Sequence, residues 1–120
     1  MAKILIHVAT GPDDPTKAAL SFLVAKTALA EGHEVNLFLA GEGVRLLSED
    51  SLSEVEGIGT GKLQEHYESI VMTGGKFFLS GMSAKARGFD ETLIRGRPAE
   101  FAMPDVLVHL LTTSDKSLTY

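Results

Sequence analysis

The 120-residue chain contains no cysteine. That single absence excludes disulfides, cysteine-ligated zinc, thiol nucleophiles and sulfur carried as a protein-bound persulfide. Basic residues are also scarce, 11 against 16 acids for a net charge of -5. A protein that binds nucleic acid by neutralising phosphates needs the opposite balance, so no nucleic-acid partner is expected. Long apolar runs are missing too. The N-terminal run Ile4-Leu5-Ile6-His7-Val8-Ala9 is too short for a secretory leader and lacks a cleavage site, and a membrane helix needs about 20 apolar residues. The expectation is a cytoplasmic chain with no membrane partner. Internal repeats and low-complexity tracts are absent as well. What is present, 44% hydrophobic and 22% charged residues, suits one folded domain over 1–120 with a core of ordinary size.

The order of patterns along the chain predicts an α/β domain. Residues 3–9 form a short apolar run with branched side chains, ended by Thr10-Gly11-Pro12, and read as a buried strand. Asp14 can cap a helix that opens with Pro15, a residue suited to a position needing no backbone donor. Ala18, Phe22, Ala25 and Leu29, with Ala19 and Leu23 beside them, mark its core stripe. Lys17, Ser21, Lys26 and Glu31 face outward, and Gly32 stops the helix. A second strand follows over Glu34–Ala40, completing a βαβ unit with parallel pairing. Beyond it the pattern predicts a short helix over Val44–Leu47 and an exposed loop from Ser48 to Lys62. A helix comes next, carried by Leu63, Tyr67, Ile70 and Val71. Then come a strand over Lys76–Ser80, a helical turn over Ser83–Arg87 and a strand over Ala99–Met103. A helix over Pro104–Thr113 and a strand over Ser117–Tyr120 close the chain. This alternation implies layered α/β architecture around a mostly parallel sheet. Ligands of such sheets bind outside the carboxyl ends of the strands, here Thr10 to Asp14, Ala40 to Gly43 and Ser80 to Ser83.

Two glycine-rich stretches fail as nucleotide motifs. Gly57-Ile58-Gly59-Thr60-Gly61-Lys62 has Glu56 where a phosphate loop requires glycine, and Leu63 where it requires Ser or Thr. It reads as a flexible linker. Gly41-Glu42-Gly43 lacks the third glycine of a dinucleotide fingerprint and reads as a strand-end turn. His7, His33, His66 and His109 show no metal-ligand spacing, so no metal is expected and nothing implies a cofactor. His7 and His109 read as structural, His33 as solvated. No feature points to a serine triad.

The informative stretch is Phe77-Phe78-Leu79-Ser80-Gly81-Met82-Ser83-Ala84-Lys85-Ala86-Arg87-Gly88, a strand, a tight turn and a short helix. Ser80 ends the strand, and Gly81 is expected to let the backbone approach closely. The amides of Met82, Ser83 and Ala84 are free to face a crevice, with Lys85 and Arg87 adding positive charge. The candidate site is therefore Ser80 with Gly81, Met82, Ser83 and Arg87, joined by Thr10, Gly11 and Asp13 from the end of the first strand.

This stretch resembles the DsrE/DsrF-like family, the TusD/YchN-like sulfur-relay group, whose members often end the third strand with Cys-Gly followed by Met-Ser-Ala-Lys-Ala-Arg-Gly or a near variant. Gly11 to Lys17 and Gly32 to Phe38 are similar to the family's opening pattern, and Ser114-Asp115-Lys116 to its ending. The resemblance implies a three-layer α/β/α domain with about five strands that assembles into trimers or hexamers, with copies of itself or with other DsrE-like or sulfur-relay subunits. In members with the cysteine, that residue accepts and passes on sulfur as a persulfide. This chain has Ser80 there. A serine hydroxyl needs an adjacent base to become nucleophilic, and it cannot hold a sulfane sulfur. Two function classes follow: a non-catalytic assembly or binding subunit that keeps the crevice, or an enzyme or anion binder using Ser80, the helix amides and Arg87. Charge is segregated along the chain, with seven acids and two bases in residues 42–68 and five bases and two acids in 76–97. Such patches can steer subunits together.

Overall fold

A computed structural model describes residues 1–120. The chain runs β1 (Lys3–Val8), α1 (Pro15–Ala30), β2 (Glu34–Leu39), a 3-10 helix (Gly41–Leu47), α2 (Glu49–Glu54), β3 (Glu56–Gly57) and β4 (Gly61–Lys62). It continues with α3 (Leu63–Met72), β5 (Lys76–Ser80), α4 (Gly81–Ala86), a 3-10 turn (Glu91–Leu93), β6 (Ala99–Ala102), α5 (Pro104–Thr113) and β7 (Lys116–Thr119). Five strands form one sheet in the order β6-β5-β2-β1-β7, every pairing parallel, with helices on both faces. This is the layered α/β arrangement that the alternation implied, with the three layers that the family resemblance implied, and these five strands end within one residue of the expected bounds. No helix is long and apolar enough to cross a membrane.

Side chains alternate across the sheet and divide the interior in two. Ile6, Val8, Leu37, Leu39, Phe77 and Leu79 point to one face, where Ala18, Phe22 and Ala25 of α1 and Leu63 and Ile70 of α3 meet them in the main core. Leu5, Phe38 and Ala102 point to the other face, where Leu110 with Val106 and Leu107 of α5 covers them. The topology explains this split. Steps from β1 to β2 to β5 to β6 move one way across the sheet, so right-handed crossovers stack their helices on one face. The step from β6 to β7 returns across all five strands and carries α5 to the opposite face.

α1 starts as expected: the Asp14 carboxylate accepts the Lys17 N–H at 3.2 Å and Pro15 occupies the first turn. Gly32, at φ 90°, ends it. Ser21, expected outside, is buried instead. Its hydroxyl donates to the Ala18 carbonyl at 2.7 Å, so the polar group is satisfied within the helix and the small side chain packs inward.

The segment expected to be an exposed loop is ordered structure. Ser48 caps α2 by accepting the Ser51 N–H, and Ser51, Leu52 and Val55 are buried. The supposed linker is a two-stranded hairpin, β3 against β4, fastened to α1. Ile58 N–H donates to Thr16 Oγ1 at 3.0 Å, and Thr60 Oγ1 donates to the Thr16 carbonyl at 2.9 Å. The buried His66 ring binds the Thr60 carbonyl through Nε2 at 2.7 Å. Gly59 and Gly61, both at positive φ, make the turn.

Candidate functional site

β5 delivers Ser80 to the carboxyl edge of the sheet, and α4 begins at the next residue. Ser80 is half-buried, and its Oγ accepts the Ser83 N–H at 3.1 Å. The hydroxyl is therefore the N-cap of α4. No imidazole, carboxylate or amine hydrogen-bonds to it. His7 lies on the same face of the sheet but on β1, with the whole of β2 between. Two strand spacings amount to roughly 10 Å, well beyond hydrogen-bond reach. Phe38 fills the gap, with its ring centroid 6.0 Å from that of His7 in an edge-on contact. Burial pushes the His7 pKa below its ordinary 6.5, and its Nε2 is buried with no hydrogen-bond partner. His7 is thus out of reach of the Ser80 hydroxyl.

Around Ser80 a chain of polar contacts links the ends of β5 and β2. Ser83 Oγ accepts the Gly41 N–H at 2.9 Å, tying α4 to the 3-10 helix that follows β2. Arg87 donates from Nη1 to the Ser83 carbonyl at 3.1 Å and from Nε to Glu42 Oε1 at 2.8 Å. Arg45 Nε donates to the other Glu42 oxygen at 2.6 Å. The bond from Arg87, followed by that from Arg45, holds the Glu42 carboxyl below the usual glutamate range. Gly11, at the end of β1, is buried against Glu42: a Cβ there would lie 2.8 Å from the Glu42 Cβ. Gly43 is pressed against the Val8 carbonyl, so a side chain at either position would push the 3-10 helix off the β1 end.

The structure brings together Ser80, Gly81, Ser83, Arg87 and Gly11 of the expected set. Thr10 is half-buried in the same loop as Gly11, whereas Asp13 is exposed and Asp14, not Asp13, caps α1. Met82 is 60% exposed. The close approach expected at Gly81 is not there: the nearest atoms to a Cβ are 3.8 Å away, so the structure does not require glycine at this position. The remaining histidines stand apart. His33 Nδ1 accepts the Ala2 N–H at 2.9 Å, and His109, expected to be structural, is exposed on α5. No group of histidine and acidic side chains has the arrangement of a metal site.

Sequence reasoning missed Glu42 and Arg45. The i,i+3 spacing of an acid and an arginine just past a strand end was the available signal. It also missed the largest cavity, about 640 Å³, which opens beside the Arg87 guanidinium rather than over Ser80. Its walls come from the β1–α1 loop, α2 and the segment after α4. Arg45 also stacks over the Phe89 ring there, at 5.9 Å from the centroid.

The same fold occurs in solved structures of low sequence identity. The ychN protein from E. coli superposes with a TM-score of 0.79 at 19% identity, all of each chain being covered. MTH1491 from Methanobacterium thermoautotrophicum, a protein of unknown function, gives 0.75 at 15% identity, again with complete coverage of both chains. BT1422 from Bacteroides thetaiotaomicron, also of unknown function, gives 0.71 at 17% identity over 99% of this chain and 95% of its own. No curated protein matches the sequence. The sequence model of the DsrE/DsrF-like family matches residues 2–120, and with the sheet order and the Ser80 to Gly88 segment in place, the chain belongs to the DsrE/DsrF-like family.

Proposed function

We propose that this chain is a cytoplasmic, sulfur-relay-like family protein without a carrier thiol, serving as a non-catalytic subunit that assembles with copies of itself and binds at the Ser80 crevice without turnover. The observation that carries this reading is the state of Ser80. Its hydroxyl is committed to capping α4, and no base is in contact to activate it. Sulfane sulfur needs a thiolate to hold it, and the chain has none. The scaffold around that position is nevertheless kept: Ser83, Arg87, Glu42 and Gly41 lock α4 against the end of β2.

Assembly as a trimer or hexamer is supported by the resemblance and by the second face of the sheet. Met103, Val108 and Leu111 at and along α5 are each more than half exposed, an apolar surface suited to a second copy of the chain. Native mass spectrometry tests this half, with a trimer or hexamer expected; a strictly monomeric mass would overturn it. The non-catalytic half is tested by incubating the protein with a sulfane donor and with candidate small substrates. No stable gain of a sulfur atom and no turnover are expected. Turnover that disappears in Ser80→Ala would establish the enzymatic reading instead.

A further inference from the structure

We propose that the 640 Å³ cavity beside Arg87 is a binding site for a small zwitterion of amino-acid or short-peptide type, its carboxylate held by Arg45 and Arg87 and its ammonium by the acids opposite. The volume lies within the range of small-molecule sites, roughly 300 to 1,000 Å³. Glu42 uses its two oxygens to hold the Nε atoms of both arginines, which fixes the two guanidinium groups side by side. Both Nη atoms of Arg45 and Nη2 of Arg87 make no hydrogen bond within the protein, and both arginines line the cavity. A carboxylate is the ligand group whose geometry matches such paired planar donors.

A second, separate feature points into the same space. Ser51 is only 6% exposed, lines the cavity, and its hydroxyl bonds to no protein group. Its hydroxyl is therefore free to bond a ligand that enters the cavity. The acids lining the same cavity bear on the charge of the ligand. They are Asp50, Glu54 and Glu56, so the surrounding charge, with Glu42 counted, is two positive against four negative. A simple dianion such as inorganic phosphate is repelled by that balance, and a bare polyamine meets the two arginines. A molecule with one anionic and one cationic end satisfies both sets of charges. The site does not involve the Ser80 hydroxyl, and the inference stands whatever the assembly state.

Trialanine is a suitable probe, followed by amide chemical shifts of the full chain at millimolar concentrations. Saturable shifts are expected in residues 48–56 and 87–89. N-acetylation or C-amidation of the peptide, and Arg45→Gln or Glu54→Gln in the protein, should each weaken binding by about tenfold, the cost of one charge-assisted contact. Both substituted side chains are at or near the surface, so folding should be retained, as circular dichroism would verify. His109→Gln, on the opposite layer, should bind like the unmodified protein. Equal binding of the capped peptides, tighter binding of inorganic phosphate or spermidine, or no shift in these segments would overturn the proposal. Native mass spectrometry of the same samples reports assembly separately, so the two ideas fail independently.

Discussion

At position 80 the change from sulfur to oxygen alters acidity and bonding capacity while leaving the backbone's use for the side chain unchanged. The Oγ accepts the Ser83 N–H, and a thiolate in its place would receive the same donor plus the partial positive charge of the helix start. Ser80→Cys should therefore yield a thiol with a pKa below the ordinary value of about 8.5. The rate of alkylation against pH measures it, and a profile centred at the ordinary value would show that the α4 terminus is not aimed at the side chain. His7 makes the second argument at this scale. Burial holds its pKa below 6.5, so below that pH the unfolded chain takes up a proton that the folded chain refuses. The sign follows: stability falls as pH drops through 6.5 and levels off once the folded ring also titrates. His7→Phe removes this dependence. Urea midpoints at about pH 8 and about pH 5.5 should converge in the variant and separate in the parent, and equal separation in both would count against it.

Among the elements, those with a strong hydrophobic period were readable from sequence, and those held by polar contacts were not. α3, α5 and the inner sheet strands announce themselves through apolar spacing, and α1, apolar nearly all round, through its Asp14 cap and proline start. α2 does not, because Glu49-Asp50-Ser51-Leu52-Ser53-Glu54 exposes its charges and buries a serine and a leucine. The hairpin that follows is held by Thr16 and His66, 42 residues before Ile58 and six after Thr60, and no local pattern encodes that. The same blindness hid the cavity, whose arginines lie 42 residues apart and meet only through Glu42. The opposite charges of residues 42–68 and 76–97 also meet inside the chain, at Glu42 and Arg87. Thr16→Val tests the hairpin. It keeps the shape, removes the acceptor for the Ile58 N–H, and should cost about 1 kcal/mol. Amide hydrogen exchange should accelerate in residues 56–62 and not in the sheet; unchanged exchange there would mean the hairpin does not depend on α1.

For the molecule as a whole, the two faces of the sheet are covered unequally, and this bears on assembly. Five strands at about 4.8 Å spacing make a sheet roughly 20 Å wide, whereas one helix with its side chains spans about 10 to 12 Å. On the main face, α1 and α3 lie side by side and bury their apolar stripes together. On the other face α5 lies alone, so the sheet beside it is only partly sheltered and Phe78 stays half-exposed. Parallel sheets are stable when both faces are covered, so in the assembly proposed above another chain would supply the missing cover. The outward side chains of α5 are the natural contact, because Val108 and Leu111 are 57% and 51% exposed and contribute little to the fold of one copy. Val108→Lys combined with Leu111→Lys should convert the assembled protein into smaller species while leaving circular dichroism unchanged. Leu110→Ala, which removes a buried contact on the sheet side of the same helix, should instead lower stability by about 2 to 5 kcal/mol. If the double lysine variant keeps the mass of an oligomeric parent, α5 is not the contact between copies, and a parent already monomeric removes the proposed assembly itself.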